Sequence, residues 1–479
     1  MSSHEKDPLD PSTTSMAWDS MIPIWDMIDT ILGGTGPMRD AATTYLPQHE
    51  QESMPNYQER LGRCTLFNMT ELTLGTWVGK PFSDPVKLNE DVPKEIVNIS
   101  NDIDLRGNNM TVVARDWFRE SLAKSFSHIL IDMPALTDDE RNGRTLADDN
   151  RDNIRPYWVL IKPENLIFAE SQIINGREML THVRILETII DRDGFAESVT
   201  EQIRILEPGW FEIWEKEFTN KSRTRFKWVR VQSDFTDLDE IPLVTFYANR
   251  TGLMEGKPPL EDLAHLNIRH WQSTSDQINI LTVSRFPMLA VSGATDQSGD
   301  TMVIGPRQLL GTKDAQGRFY YVEHSGKAIK SGREDLEDLE EQMASYGAEF
   351  LKRKSGSHTA TGRALDSSEA MSPLQDMVIR FTESMGEALD ITAKWLKLER
   401  DGGTVDIATD FSISGQDDAE LKILLEARKN GDISMIDFLN ELKLRGILSD
   451  DFDVTQNISR ILVGLGLGLE TSNPKNEDE

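Results

Sequence analysis

The chain has 479 residues, 81 acidic and 51 basic, for a formal charge of −30. That length allows about two to four domain-sized units, and so acidic a balance excludes a surface that grips nucleic acid by general phosphate neutralisation. A single cysteine, Cys64, excludes an intramolecular disulfide and a Cys-based zinc cluster, and fits a reducing compartment.

The opening "MSSHEKDPLDPSTTS" has no basic stretch followed by an apolar run, so it does not read as a secretory signal, and residues 1–17 are expected to form a flexible arm. From Trp18 to about Pro85 the period is helical, with Leu61, Cys64, Phe67, Leu72 and Trp77 along one stretch. A helix around "VARDWFRESLAKSF" leads into the strand candidate "SHILIDMP". The polar loop "TDDERNGRTLADDNRDN" follows, and from Tyr157 to Ala248 the pattern alternates. Asn175-Gly176, Asp193-Gly194 and Pro208-Gly209 punctuate it, which predicts an antiparallel sheet. The fold class is therefore α+β.

After Pro258-Pro259 come about 27 residues free of Gly and Pro, enough for about 40 Å of helix. Its seam of Leu260, Leu263, Asn267, Trp271, Thr274, Ile278 and Leu281 mixes apolar and polar side chains. Such a seam suits packing against neighbours in an assembly better than burial in one core. A β-like interlude precedes "GREDLEDLEEQM", where Glu334, Asp335, Glu337, Asp338, Glu340 and Glu341 crowd one helix. Leu336, Leu339, Met343, Tyr346 and Phe350 give that helix an apolar seam. Next stands the basic loop "KRKSGSHTATGR", with Lys352, Arg353, Lys354, His358 and Arg363. Asp366 and Glu369 form a candidate capping box, and Pro373, seven residues further in, is expected to kink the helix that carries Leu374, Phe381, Met385, Leu389 and Trp395. "VDIATDFS" is a strand candidate, short helices follow from Asp418 to Leu448, and the tail "TSNPKNEDE" reads as disordered. The greasiest run, "ILVGLGLGL", is far short of the ~18 apolar residues that span a bilayer, so no membrane partner is expected.

Motifs of catalysis fail individually. His49-Glu50 opens like a zincin helix, but Ser53 stands where the second histidine belongs. His265 and His270 are five apart, off the one-face spacing of helical ligands. "DRDG" around Gly194 fits a hairpin turn better than a calcium loop, Ser325-Gly326-Lys327 lacks the rest of a phosphate loop, and no G-x-S-x-G exists. No enzyme, metal or cofactor is expected. The alternative left open is an acidic soluble hydrolase using paired carboxylates, since Asp and Glu are abundant.

The strings "YLPQHEQE…YQERLGRCTLFNMTELTLGTWVGKPF", "IPLVTFYANR" followed by "PPLEDLAHLNIRHWQSTSD", and "ATGRALDSSEAMSPLQDM", in this order, resemble the portal proteins of tailed bacteriophages. These form the head-to-tail connector ring at one capsid vertex. The resemblance covers about Trp18 to Leu448 and implies a wing at 18–255 after an arm at 1–17, a stem helix at 256–285, a small β clip at 286–329 and an acidic stem helix at 330–351. It further implies a tunnel loop at 352–364, a wing helix and strand at 365–415, a helical crown at 416–470 and a disordered tail at 471–479. The implied function is structural: a homo-oligomeric ring, usually of twelve subunits, through which DNA is packaged and ejected. The implied partners are double-stranded DNA held non-specifically in the channel, the terminase packaging motor, a head-tail adaptor and the capsid protein. The implied location is the virion, after assembly in the host cytoplasm. Two readings of the acidic face then stand side by side: a solvated exterior, or a bore lining that repels phosphates and keeps the duplex centred. For the basic loop they are a plain surface connection, or a constriction whose cations touch phosphates transiently.

Overall fold

A computed structural model describes residues 7, 9–134, 144–218, 225–285, 288–292, 316–322, 326–349, 372–409 and 417–444, with five isolated positions between 452 and 460. The chain divides into a larger unit, Met1–Phe411, and a smaller one, Ser412–Glu479.

The larger unit opens with helices α1 (Met16–Leu32), α2 (Thr35–Asp40), α3 (Met54–Arg63) and α4 (Met69–Gly79), then β1 (Lys87–Leu88), α5 (Lys94–Ile99) and α6 (Met110–Lys124). Side-chain caps fix the starts of several of them. Ser15 accepts from Trp18 N at 3.0 Å, Asn68 from Glu71 N at 3.0 Å and Asn109 from Val112 N at 3.0 Å, each satisfying a backbone donor the helix leaves open. Strand β2 (Phe126–Asp132) lies between β3 (Tyr157–Ile161) and β9 (Leu243–Tyr247) in a three-stranded antiparallel sheet, with α7 (Leu146–Asp152) preceding β3. Strands β4 (Leu166–Ile174), β5 (Arg177–Asp193), β6 (Ala196–Glu207), β7 (Trp210–Phe218) and β8 (Phe226–Phe235) form a five-stranded sheet in chain order. The dipeptides expected at its turns connect its first four strands. Asn175 and Gly176 both have positive φ, 52° and 80°, the backbone of a two-residue hairpin turn.

The short pair β10 (Arg250–Gly252) and β11 (Glu255–Gly256) leads to α8 (Glu261–Ser284). Then come the antiparallel ribbon β12 (Met288–Ser292) and β13 (Arg318–Val322), helix α9 (Lys327–Glu349), helix α10 (Pro373–Trp395), and β14 (Val405–Asp406), which pairs with β1. The core lies where α4, α6, α8 and α10 meet the three-stranded sheet. Phe381 on α10 has Trp117, Phe118 and Phe246 at ring-centroid distances of 5.0, 5.1 and 4.9 Å, mostly edge to face. His128 in β2 is fully buried with Nδ1 2.8 Å from Thr245 Oγ1, and burial pulls its pKa down to about 3, so the ring is neutral. In the smaller unit α11 (Asp417–Asn430) and α12 (Met435–Leu444) form a helical pair. Gly431 at φ 86° ends the first, and Ser434 Oγ, accepting from Asp437 N at 3.1 Å, caps the second.

Several sequence expectations need correction. Pro373 does not kink a helix; it occupies the first helical position of α10, where its missing N–H costs nothing. Ser372 is the cap, accepting from Gln375 N at 3.2 Å, while Gln375 Oε1 accepts from Ser372 N at 2.9 Å. The expected box of Asp366 and Glu369 lies outside the described residues. The stretch through Cys64 and Phe67 is not one helix but two, α3 and α4, and Phe67 and Leu72 are exposed. Residues 9–15 are not a loose arm: Pro11 O accepts from Arg184 Nη1 at 3.1 Å and Ser15 N donates to Ile167 O at 2.9 Å. Of the strand expected at "VDIATDFS", the described residues 405–409 form only the two of β14, and 410–412 lie outside the described residues.

Candidate functional site: an acidic helical hairpin

Helices α8 and α9 run antiparallel. Pro259 O accepts from Tyr346 Oη at 3.1 Å at one end, and Gln277 Nε2 donates to Ile329 O at 2.9 Å towards the other. A Cβ on Gly332 would meet Gln277 Oε1 at 2.2 Å, so a larger residue here would require the Gln277 side chain to move. Leu339 and Met343 are buried and Leu336 and Tyr346 half-buried, so the expected seam of α9 is the face that packs, while Phe350 lies outside the described residues.

The polar residues on the α8 seam have partners in their own chain. Asn267 is wholly buried, and its Oδ1 accepts from Met69 N at 3.0 Å, Thr70 N at 3.1 Å and Thr70 Oγ1 at 3.1 Å, while Nδ2 donates to Phe67 O at 2.9 Å. It therefore satisfies open N–H groups in the first turn of α4. Ser275 accepts from the buried Arg60 at 3.1 Å, and Arg60 also forks onto Glu52 at 2.9 and 2.8 Å. Those hydrogen bonds hold the Glu52 carboxyl below its ordinary range. With Leu260, Leu263, Ala264 and Trp271 at 1% exposure or less, the first half of α8 belongs to the chain's own core, contrary to the sideways packing expected of it. The second half differs: Ile278 and Leu281 are half-buried and Ile280 is 37% exposed.

The six carboxylates of α9 separate into two groups. Asp335 and Glu340 turn toward α8, at 3.2 Å from Arg269 and 3.3 Å from His270. Glu334, Glu337, Asp338 and Glu341, spaced three and four apart, form an exposed stripe away from the seam. Lys330 at 3.5 Å and Arg333 at 2.7 Å answer Glu334 and Glu337 one turn earlier, and among the described residues Asp338 and Glu341 have no cationic partner. Sequence reasoning missed Arg269 and His270 because nothing in a single helix shows which face meets which neighbour. The cations Lys352, Arg353, Lys354, His358 and Arg363 lie outside the described residues. Among the described residues no group of His, Cys, Asp and Glu is placed to hold a metal ion, and no helix is long and apolar enough to cross a membrane.

A family described as a domain of unknown function (DUF4055) matches residues 259–396, from the start of α8 to the end of α10. Comparison with curated proteins finds no match. Among solved structures, the neck of an empty GTA particle computed with C6 symmetry is similar at a TM-score of 0.40 and 9% identity, over 83% of this chain and 89% of that one. The virion of the native gene transfer agent (GTA) particle gives 0.37 and 10% over 84% and 90%, and the native GTA neck computed with C12 symmetry gives 0.38 and 7% over 78% and 90%. At these scores the likenesses decide neither fold nor role.

Proposed function

We propose that this chain is the repeating subunit of a portal-type ring: a structural conduit for double-stranded DNA at a capsid vertex, docking a packaging motor and a tail adaptor. The observation that carries the reading is the α8–α9 hairpin, two long antiparallel helices with a two-stranded ribbon between them in the chain and an exposed acidic stripe along one of them. A duplex presents one negative charge per ~1.7 Å of axis, so a wall of Lys and Arg would release counterions and hold it fast. A stripe of carboxylates does the reverse and lets it slide. The cations Lys352, Arg353 and Lys354, next in sequence after α9, add a few phosphate contacts at one level, and the β12–β13 ribbon, too small to bury a core, is the docking unit.

The test is mass photometry of the purified chain together with duplex binding over a salt series. Closed rings are expected, and Glu334→Gln, Glu337→Gln and Glu341→Gln combined should raise duplex affinity most at low salt. Monomers at every concentration would remove the ring; rings with unchanged duplex affinity would return the stripe to a solvated exterior.

A further inference from the structure

The β5–β6 hairpin outruns the sheet that supports it. β4 accompanies β5 only to Ile185, and β7 accompanies β6 only to Gln202, yet β5 and β6 stay paired out to Asp193 and Ala196. A two-stranded ribbon by itself is marginal in water. This one exposes the cross-strand pair Ile190 and Val199, at 64% and 55%, and at its turn Phe195 is fully exposed. Among the described residues nothing covers that ring.

Toward the other end of the sheet lies a cleft of about 400 Å³ walled by Tyr157, Trp210, Phe211, Phe235 and Trp395. Its charged floor is internally satisfied. Arg204 donates to Asp132 at 3.0 Å and Glu187 at 2.9 Å, Tyr157 Oη donates to Asp132 at 3.2 Å, and burial with that carboxylate pushes the phenol up to about 12. What remains open is aromatic surface: Trp210 and Phe235 stand edge to face at 4.6 Å, and Phe235 is 76% exposed. An apolar cavity of ~150 Å³ holds a benzene ring, so this cleft has room for a phenyl side chain. The rim carboxylates Glu207 and Asp237 are already engaged, with His182 at 2.9 Å and Lys397 at 2.7 Å, so what the cleft offers a second copy is its aromatic wall.

The tip cannot fill the cleft of its own chain. Phe195 and Leu206, a cleft residue, lie eleven positions apart with the paired strand β6 running between them, a span of about 36 Å at ~3.3 Å per residue. Knob and hole at opposite ends of one sheet make a head-to-tail pair, the kind of contact that closes into rings. We propose that Phe195 of one copy seats in the aromatic cleft of the next, between Trp210 and Trp395, so that each site is complete only when a second copy supplies the ring. The proposal rests on the ring reading above.

The experiment uses the full chain with Glu197→Cys beside the tip and Gln232→Cys on the cleft lining combined, which leaves Phe195 and the aromatic wall in place, treated with a short bifunctional maleimide. The native Cys64 is buried and its thiol is pushed up to about 12, so it does not compete. A ladder of covalent multimers is expected from the double variant and no more than dimers from either single one. Phe195→Asp, at a site with no packing to lose, should fold normally and raise the concentration at which rings dissociate at least tenfold. Wild-type rings with no ladder, and with Phe195→Asp rings equally stable, would overturn the docking and leave the ring intact. A wild-type chain that stays monomeric would overturn the ring and the docking with it.

Discussion

The cluster around Phe381 and the α8–α9 hairpin solve the same problem, holding long helices together, by different means. Around Phe381 the groups are rings at van der Waals contact, with Trp117, Phe118 and Phe246 all fully buried. In the hairpin, apolar contact is confined to a seam around Leu339 and Met343, flanked by polar and ionic contacts such as Gln277 to Ile329 O and Arg269 to Asp335. Burial of area stabilises steeply and is not screened by salt; exposed ion pairs contribute little and weaken with salt. One region is therefore built to persist, and the other to keep its surface available.

The comparison is broken hardest at its centre. Phe381→Ala should cost about 3–5 kcal/mol, since a ring's worth of cavity opens among rings that cannot all close over it. Tryptophan fluorescence in urea should show the fall in midpoint. Asn267→Leu is next, at about 2–3 kcal/mol, because it strips partners from Met69 N, Thr70 N and Phe67 O at a wholly buried position. Its effect should survive high salt, marking the first half of α8 as core.

Acid sharpens the contrast further. His128 falls from an ordinary 6.5 to about 3 in the fold, so the unfolded chain takes up the proton first and stability drains as pH drops below about 6.5. Glu52, held low by Arg60, contributes above its ordinary 4.5 and loses that contribution as pH falls through its lower folded value. Midpoints measured from about pH 7 to about pH 4 should decline, and decline less in His128→Leu. The smallest effect belongs to the stripe. Asp338→Asn or Glu341→Gln should move stability by no more than about 0.5 kcal/mol, because both are exposed and have no cationic partner among the described residues. A large loss there would mean that the stripe is packed rather than free.

Much of the architecture was legible in the sequence for local reasons. The three turn dipeptides sit where positive φ is needed, and the α9 seam follows the helical period. The capping box Ser372-Pro-Leu-Gln375 has the same residue pattern as Asp366 with Glu369, and only the position of Pro373 at the first helical residue favours it. What the sequence could not show was pairing between distant segments. Asn267 on the α8 seam reads as a polar intrusion until α4, about 200 residues earlier, brings its first turn to it. The split of the carboxylates into Asp335 and Glu340 on one side and Glu341 with its stripe on the other likewise depends on where Arg269 and His270 come to lie.

The anchoring of α8 by its first half has a mechanical consequence. A helix of 24 residues is a stiff rod of about 36 Å, clamped at one end in a tight core and carrying the β12–β13 ribbon beyond the other. A sideways load on its free half would act as torque about Asn267, whose four hydrogen bonds join the rod to the first turn of α4 and the carbonyl before it, so the rod and the heart of the larger unit would have to move together.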